Sequence, residues 1–332
     1  MTIYEIAEMT GVSISTVSRV LNNPEKVALP TRTRVEEALK QHNYAPSAIA
    51  RSLTKNSTKI VGILAPDIRN LYFASAAQTL ETAFFERGYT SILCCTGGNA
   101  ESEKDYIQTL AAHKVDGLVL IGSVFSTPKL AKMLQNYMPN VPVAAINGEI
   151  SGENIYTFSV DHKAGMHIAL NHLISRGYEN IYFYYASKSD NTLRKKTSFV
   201  SEMQKRGLPL HENNNAYFGD GTYDDIQLFA ERLAPCVKQH TAVIFHDDIS
   251  AGYGCKILQQ LGYSVPKEIA VLSYDNICTS ILISATPQIT ALDTKIEVLS
   301  NLAANTLQSV FTDQPVCHCT SISPELVVRS ST

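Results

Sequence analysis

The chain has 332 residues, 45% of them hydrophobic and 18% charged, with a formal net charge of −3 at pH 7. That length gives room for a small head and two ordinary domains, and the apolar content is that of a globular protein with large cores. No apolar run approaches the ~18 residues of a membrane-spanning helix, and no secretory leader precedes the first amphipathic helix, so a cytoplasmic protein without membrane partners is expected.

The first 55 residues carry the most specific pattern. Thr2 and Glu5 have the spacing of a capping box, and Ile3, Ile6 and Ala7 then fall on one helical stripe. Gly11 supplies the permissive backbone of a tight turn, and Ser13 can cap a second helix with Val17, Val20 and Leu21 inward. Its outward face carries Ile14, Ser15, Thr16, Ser18 and Arg19, residue types that contact base edges and phosphates when a helix lies in a major groove. A third helix is expected from about Thr31 to His42, with Val35, Ala38 and Leu39 as its apolar face. It stops before Pro46, and Ser47 can cap a fourth helix of about two turns, too short to be stable in water without a partner. Residues 1–58 hold seven Lys/Arg against five Glu, and the remainder 21 basic against 26 acidic side chains, so cationic surface is confined to the head.

With three segments in this order, the head resembles the lactose-repressor/galactose-repressor (LacI/GalR) family of bacterial transcription regulators. The resemblance implies a homodimer on a near-palindromic double-stranded operator. Thr2, Ser13, Ile14, Ser15, Thr16, Ser18, Arg19 and Asn22 would contact DNA from the head, and Ser47, Ala50 and Leu53 from paired hinge helices, with Leu53 wedged into a central base step of the minor groove.

After the hinge the pattern becomes strand, helix, strand. Apolar runs at 60–65, 91–95, 117–121, 143–146, 181–184, 242–245 and 269–273 alternate with helical stretches, which implies parallel sheets covered on both faces. The expected class is α plus α/β: a helix-turn-helix head with a hinge helix, then a two-lobed, periplasmic-binding-protein-like α/β domain with parallel sheets. The expected division is head 1–45, hinge and linker 46–57, first lobe 58–158 with about 291–316, and second lobe 159–290 with about 317–332.

A small effector is expected between the lobes, beyond the carboxyl ends of the strands. Strand ends place Asp67, Tyr72, Phe73, Ser123 and Asn147 in the first lobe. In the second they place Asn191 and Lys195 in the 188–195 loop, Asp247 within His246-Asp247-Asp248, and Asp275 within Ser273-Tyr274-Asp275-Asn276; Asp293 completes the set. Carboxylates and amides suit vicinal hydroxyls and an aromatic can pack on a sugar ring, so a sugar or polyol is the economical reading; a purine or nucleoside ligand belongs to the alternative of a periplasmic-type small-molecule binding protein. Asp275 matches the family's effector-contacting Asp; its other reading is a cap on the turn that follows. The chain departs from the family where Lys195 stands for an Arg whose role Arg194 could assume, where Asp293 stands for a common Gln, where Gly219-Asp220-Gly221 lacks a wall aromatic, and where Ala28 replaces a Ser cap.

An enzyme would need a nucleophile, base and orienter, and neither Gly-x-Ser-x-Gly, a phosphate loop nor a paired-His motif occurs. No catalytic residue, cofactor or metal is expected. The nearer rival is a transport-type binding protein, against which the head and the missing leader argue. Seven cysteines, an odd number without framework spacing, agree with a reducing compartment, and Cys317-His318-Cys319 reads as packing because its ligand atoms diverge on a strand.

Overall fold

Local capping and apolar patterning divide the chain into two compact units, Met1–Lys59 and Ile60–Thr332. The computed structural model describes residues 2–42, 57–186, 188–211, 215–238 and 240–332, and all but the side chain of Asn22 within the second helix. The expected hinge helix, with Ser47, Ala50 and Leu53, lies outside the described residues.

In the head, α1 (Ile3–Thr10), α2 (Ile14–Asn22) and α3 (Leu29–Gln41) close on a core of Ile6, Ala7, Val17, Val20 and Val35. The helix α3 starts two residues before the expected Thr31. Pro30 sits in its first turn, where the missing N–H is no loss, and Ala28 offers no side-chain cap.

The larger unit begins with β1 (Ile60–Ala65), α4 (Leu71–Glu86), β2 (Thr90–Cys95), α5 (Ala100–Ala112), β3 (Gly117–Ile121), α6 (Pro128–Tyr137), β4 (Val143–Ile146) and β5 (Ile155–Val160). The second lobe follows with α7 (His162–Ser175), β6 (Asn180–Tyr185), α8 (Asp190–Lys205), β7 (Ala216–Phe218), α9 (Tyr223–Leu233) and β8 (Thr241–Phe245). It continues through α10 (Asp248–Gln260), β9 (Ile269–Asp275), α11 (Thr279–Ser284) and β10 (Thr290–Asp293). The chain then returns to the first lobe with α12 (Ile296–Val310) and β11 (Cys319–Ile322), and ends on β12 (Glu325–Val327) in the second. The first sheet runs β11-β5-β4-β3-β1-β2, all parallel; the second runs β12-β10-β9-β8-β6-β7, parallel except for β12 at its edge.

Strands buried on both faces explain the continuous apolar runs. In β6, Ile181, Phe183 and Tyr185 enter one core with Met166, Leu170 and Leu173 of α7, while Tyr182 and Tyr184 enter the other with Phe229 and Leu258. Each fully buried side chain of this size contributes about 1.5–3 kcal/mol, which makes the strand ends rigid platforms.

The expected lobe division needs correction at its crossings. The strand β5 extends the first lobe to Val160, and β10 keeps residues 290–293 in the second sheet. Residues 319–322, expected in the second lobe, form β11 on the first sheet, where Cys319–Ile322 pair in parallel with Thr157–Val160. With one face of β5 buried through Tyr156, Phe158 and Val160 and the other only partly covered, its sequence Ile-Tyr-Thr-Phe-Ser-Val alternates and shows no apolar run.

Candidate functional site

The head presents one outward helix face. The Thr2 backbone donates to Glu5 Oε2 (2.6 Å) and Glu5 N–H donates to Thr2 Oγ1 (3.4 Å), so the Thr2 hydroxyl is the cap of α1. Gly11 adopts φ 63°, the left-handed conformation that ends α1 and turns the chain into Ser13, which caps α2 by accepting from Thr16 N–H at 3.2 Å. With Val17 and Val20 buried, Ile14 (42% exposed), Ser15 and Arg19 face outward, and Thr16 and Ser18 are half-buried. Arg19 has no ionic partner among the described residues, whereas Arg32 is paired with Glu36 at 2.6 Å.

The larger unit has a cavity of about 740 Å³ between its lobes, at the carboxyl ends of the strands. Tyr72, Phe73, Ser123 and Asn147 line it from the first lobe, and Asn191, Lys195, Asp247 and Asp275 from the second. Asn70 caps α4 by accepting from Tyr72 N–H (2.9 Å), which sets the Tyr72 and Phe73 rings edge to face at 5.8 Å. Gly122 at φ 112° makes room for Phe73: a Cβ there would lie 2.9 Å from its ring. Asn147, with φ 54°, accepts from Val160 N–H (3.0 Å) and donates to the Tyr72 hydroxyl.

Asp67 and Asp293 do not line the cavity. Arg69 grips Asp67 with Nε (2.9 Å) and Nη2 (2.6 Å), and Asp293 accepts from Lys295 N–H (2.8 Å) and the Asn276 amide (3.3 Å).

Asp275 stands at φ 113°, a region ordinary residues avoid, with a carboxylate that is 17% exposed. Lys195 Nζ, 8% exposed, donates to Asp275 Oδ1 (3.1 Å) and the His246 carbonyl (3.2 Å) and lies 4.0 Å from the centre of the Tyr274 ring. Burial pushes the Asp275 carboxyl up to about 6, against the pull of the Lys195 charge. The turn after β9 is held by Asp248, which is buried and accepts from the N–H groups of Asn276 (3.2 Å), Ile277 (2.6 Å) and Cys278 (2.8 Å) and from the Ser273 hydroxyl. Asp248 therefore fills the capping role that was the other reading of Asp275. Asp247 caps α10 by accepting from Ser250 N–H (2.7 Å) and meets His246 Nε2 at 2.9 Å. Burial opposes its charge, yet His246 and Ser250 hold its carboxyl below the ordinary carboxylate range.

Contacts that span the lobes include Asn191 Nδ2, which donates to the Asn147 carbonyl at 2.9 Å, and Arg194, which pairs with Glu149. Arg194 thus has its guanidinium on a cross-lobe carboxylate, leaving Lys195 as the buried cation. His162 and Thr294 also line the cavity and were not foreseen. His162 opens α7 directly after β5, the strand whose alternation hid it, and Thr294 lies in a crossing between lobes.

Among the described residues no His/Cys/Asp/Glu group could hold a metal ion, and no helix is long and apolar enough to cross a membrane. His318 stacks on Tyr156 at 4.8 Å and faces the Ile155 carbonyl at 3.1 Å.

The family model for bacterial regulatory proteins of the lacI family matches residues 2–47, and that for a periplasmic binding protein-like domain matches residues 170–332. An HTH-type transcriptional regulator of Lachnoclostridium phytofermentans is 31% identical over 337 residues, covering 100% of this chain and 99% of its own length. The HTH-type transcriptional repressor PurR of Vibrio vulnificus is 32% identical over 338 residues, 99% of this chain and 98% of its own. The fold is similar to that of the lac repressor dimer bound to operator and the anti-inducer ONPF, with TM-score 0.86, 20% identity and coverage of 100% and 98%. The Enterococcus faecium regulator with bound ribose gives TM-score 0.70, 22% identity and coverage of 82% and 98%.

Proposed function

The chain belongs to the lacI family of bacterial regulatory proteins, and from that membership we propose a homodimeric repressor whose hold on a near-palindromic operator is set by a neutral sugar or polyol between its lobes. The head reads DNA through Ile14, Ser15 and Arg19 on the exposed start and face of α2. The observation that carries the effector reading is one cavity with an aromatic wall, Tyr72 and Phe73, on the first lobe and a half-buried carboxylate, Asp275, on the second. A ligand touching both stabilises the closed lobes over the open ones, and differential affinity of that kind is what shifts an operator-binding equilibrium.

A purine or nucleoside is the second reading, favoured by the edge-to-face aromatic pair, on which a planar base can stack, and by relatives named PurR. Thermal shift against sugars, polyols, purines and nucleosides separates the two, since a ligand at a hundred times its Kd stabilises by about 2.7 kcal/mol. Stabilisation by sugars or polyols alone supports the first reading, and by bases alone the second. For the head, Arg19→Ala is expected to weaken operator binding by about 1–3 kcal/mol and relax selection at one position. Unchanged preference in a selection from random duplexes would remove Arg19 from the base contacts.

A further inference from the structure

Seven buried polar side-chain atoms among the described residues lack a hydrogen-bond partner, and two of them, His162 Nε2 and His246 Nδ1, belong to residues lining the effector cavity. Both side chains are buried, at 8% and 9% exposure, and they come from different elements, the first residue of α7 and the loop after β8. A buried polar atom without a partner is costly, so two in one cavity mark positions that a ligand completes.

The other nitrogen of each ring is held. His162 Nδ1 lies 3.2 Å from the Tyr274 hydroxyl, and His246 Nε2 lies 2.9 Å from Asp247 Oδ2. Asn191 lies beside His162 but out of hydrogen-bond geometry with Nε2, its amide being given to the Asn147 carbonyl. Burial, with the Lys195 charge nearby, pushes the His162 imidazole down to about 3, so the ring is neutral. Burial and the Asp275 charge hold the Tyr274 phenol protonated. Its O–H can then donate to Nδ1, which places the His162 proton on Nε2 as a donor without a partner. In His246 the Asp247 carboxylate only accepts, so Nε2 donates to it and Nδ1 is the ring nitrogen left without a partner.

The cavity's cations are already engaged. Lys195 is held by Asp275 and the His246 carbonyl, Lys188 lies 4.8 Å from the centre of the Phe218 ring, and Asp190, Asp247 and Asp275 outnumber them on the lining. An added anion meets net repulsion there. A hydroxyl donates and accepts, so a neutral hydroxylic ligand can satisfy both imidazoles.

We propose that His162 and His246 are specificity-determining contacts of the effector site, whose unpartnered ring nitrogens, in a cavity lined by more carboxylates than ammonium groups, select an uncharged, hydroxyl-bearing ligand and reject its phosphorylated form. This rests on the cleft being the effector site. The test uses the full-length protein, with D-ribose, D-glucose, cellobiose, hypoxanthine and guanosine as probes and the phosphate esters of the two monosaccharides as charged counterparts, measured by calorimetry. At least one monosaccharide is expected to bind, with its phosphate ester weaker by about a hundredfold or more. His162→Phe and His246→Phe, which keep a ring without the nitrogens, should each weaken the neutral ligand about tenfold, and His162→Gln should recover part of that loss. Esters that bind the unaltered protein as tightly as their parents overturn the proposal even where a Phe variant fails to fold. So does a bound neutral ligand confined to hypoxanthine, which bears no sugar hydroxyl. A ligand lost from Asp275→Asn but kept by both Phe variants removes the two histidines and leaves the cleft reading intact. Binding that survives Asp275→Asn, or none from any probe, removes the cleft reading and this proposal with it.

Discussion

Replacing Lys195 by Met isolates the electrostatics at the centre of the cleft. In the parent protein the Lys195 ammonium, 8% exposed, sits 3.1 Å from Asp275 Oδ1 and 3.2 Å from the His246 carbonyl. Methionine keeps much of the apolar stem and leaves the Asp275 carboxylate, 17% exposed, without its cation, a change that costs at most about 3–5 kcal/mol. The penalty should depend on pH in a definite direction. Burial already raises the Asp275 carboxyl to about 6, above its unfolded value, so the folded protein binds a proton there more tightly and loses stability as pH rises through that range. Without Lys195 the carboxyl rises further. Between about 6 and that new value the variant is protonated and the parent ionised, so the difference between them shrinks by about 1.4 kcal/mol for each unit of falling pH. Below about 6 both carry the proton and the difference levels off. Urea unfolding followed by far-ultraviolet circular dichroism suits a chain with no tryptophan. Adding Asp275→Asn to Lys195→Met should restore part of the loss at high pH. A penalty flat between pH 5 and 9 and unchanged by Asp275→Asn would refute the reasoning, leaving lost packing as the cause.

Asp248→Asn is expected to lower stability by about 2–4 kcal/mol, because three N–H donors and the Ser273 hydroxyl converge on a carboxylate that an amide can only partly replace; the melting temperature checks it. Gly122→Ala combines φ 112° with a Cβ 2.9 Å from Phe73, so it should displace that ring and weaken the panel ligand several-fold more than it lowers the melting temperature. Arg194→Ala removes an exposed cross-lobe pair with Glu149, worth about 0–1 kcal/mol, and should leave the melting temperature within a degree or two while speeding ligand dissociation a few-fold in stopped flow.

Much of the architecture was legible because its signals are local. The Thr2/Glu5 box, Gly11 and the Ser13 cap are set within a few residues, and β1, β3, β8 and β9 read as apolar runs because both their faces are covered. The strand β5 was not legible, being half-buried on alternate residues, and β11 and β12 are short edge pieces whose lobe depends on pairing with residues more than 30 positions away. The same logic divides the site. Residues expected at the ends of apolar strands, such as Asn147 and Asp275, line the cavity; His162, which also lines it, was missed with the strand before it, and Asp293 is engaged by Lys295 and Asn276 instead. Nothing in the spacing of Lys195 and Asp275 announces that they pair, since the contact joins the first turns of α8 to the end of β9.

The most direct measurement is fluorescence anisotropy of the full-length protein on the duplex it selects from a random pool, titrated with the panel ligand that raises its melting temperature. The account predicts sequence-selective binding whose Kd shifts about tenfold or more with ligand, and no shift in Asp275→Asn. Selective DNA binding indifferent to that ligand, or a shift that persists in Asp275→Asn, would contradict it.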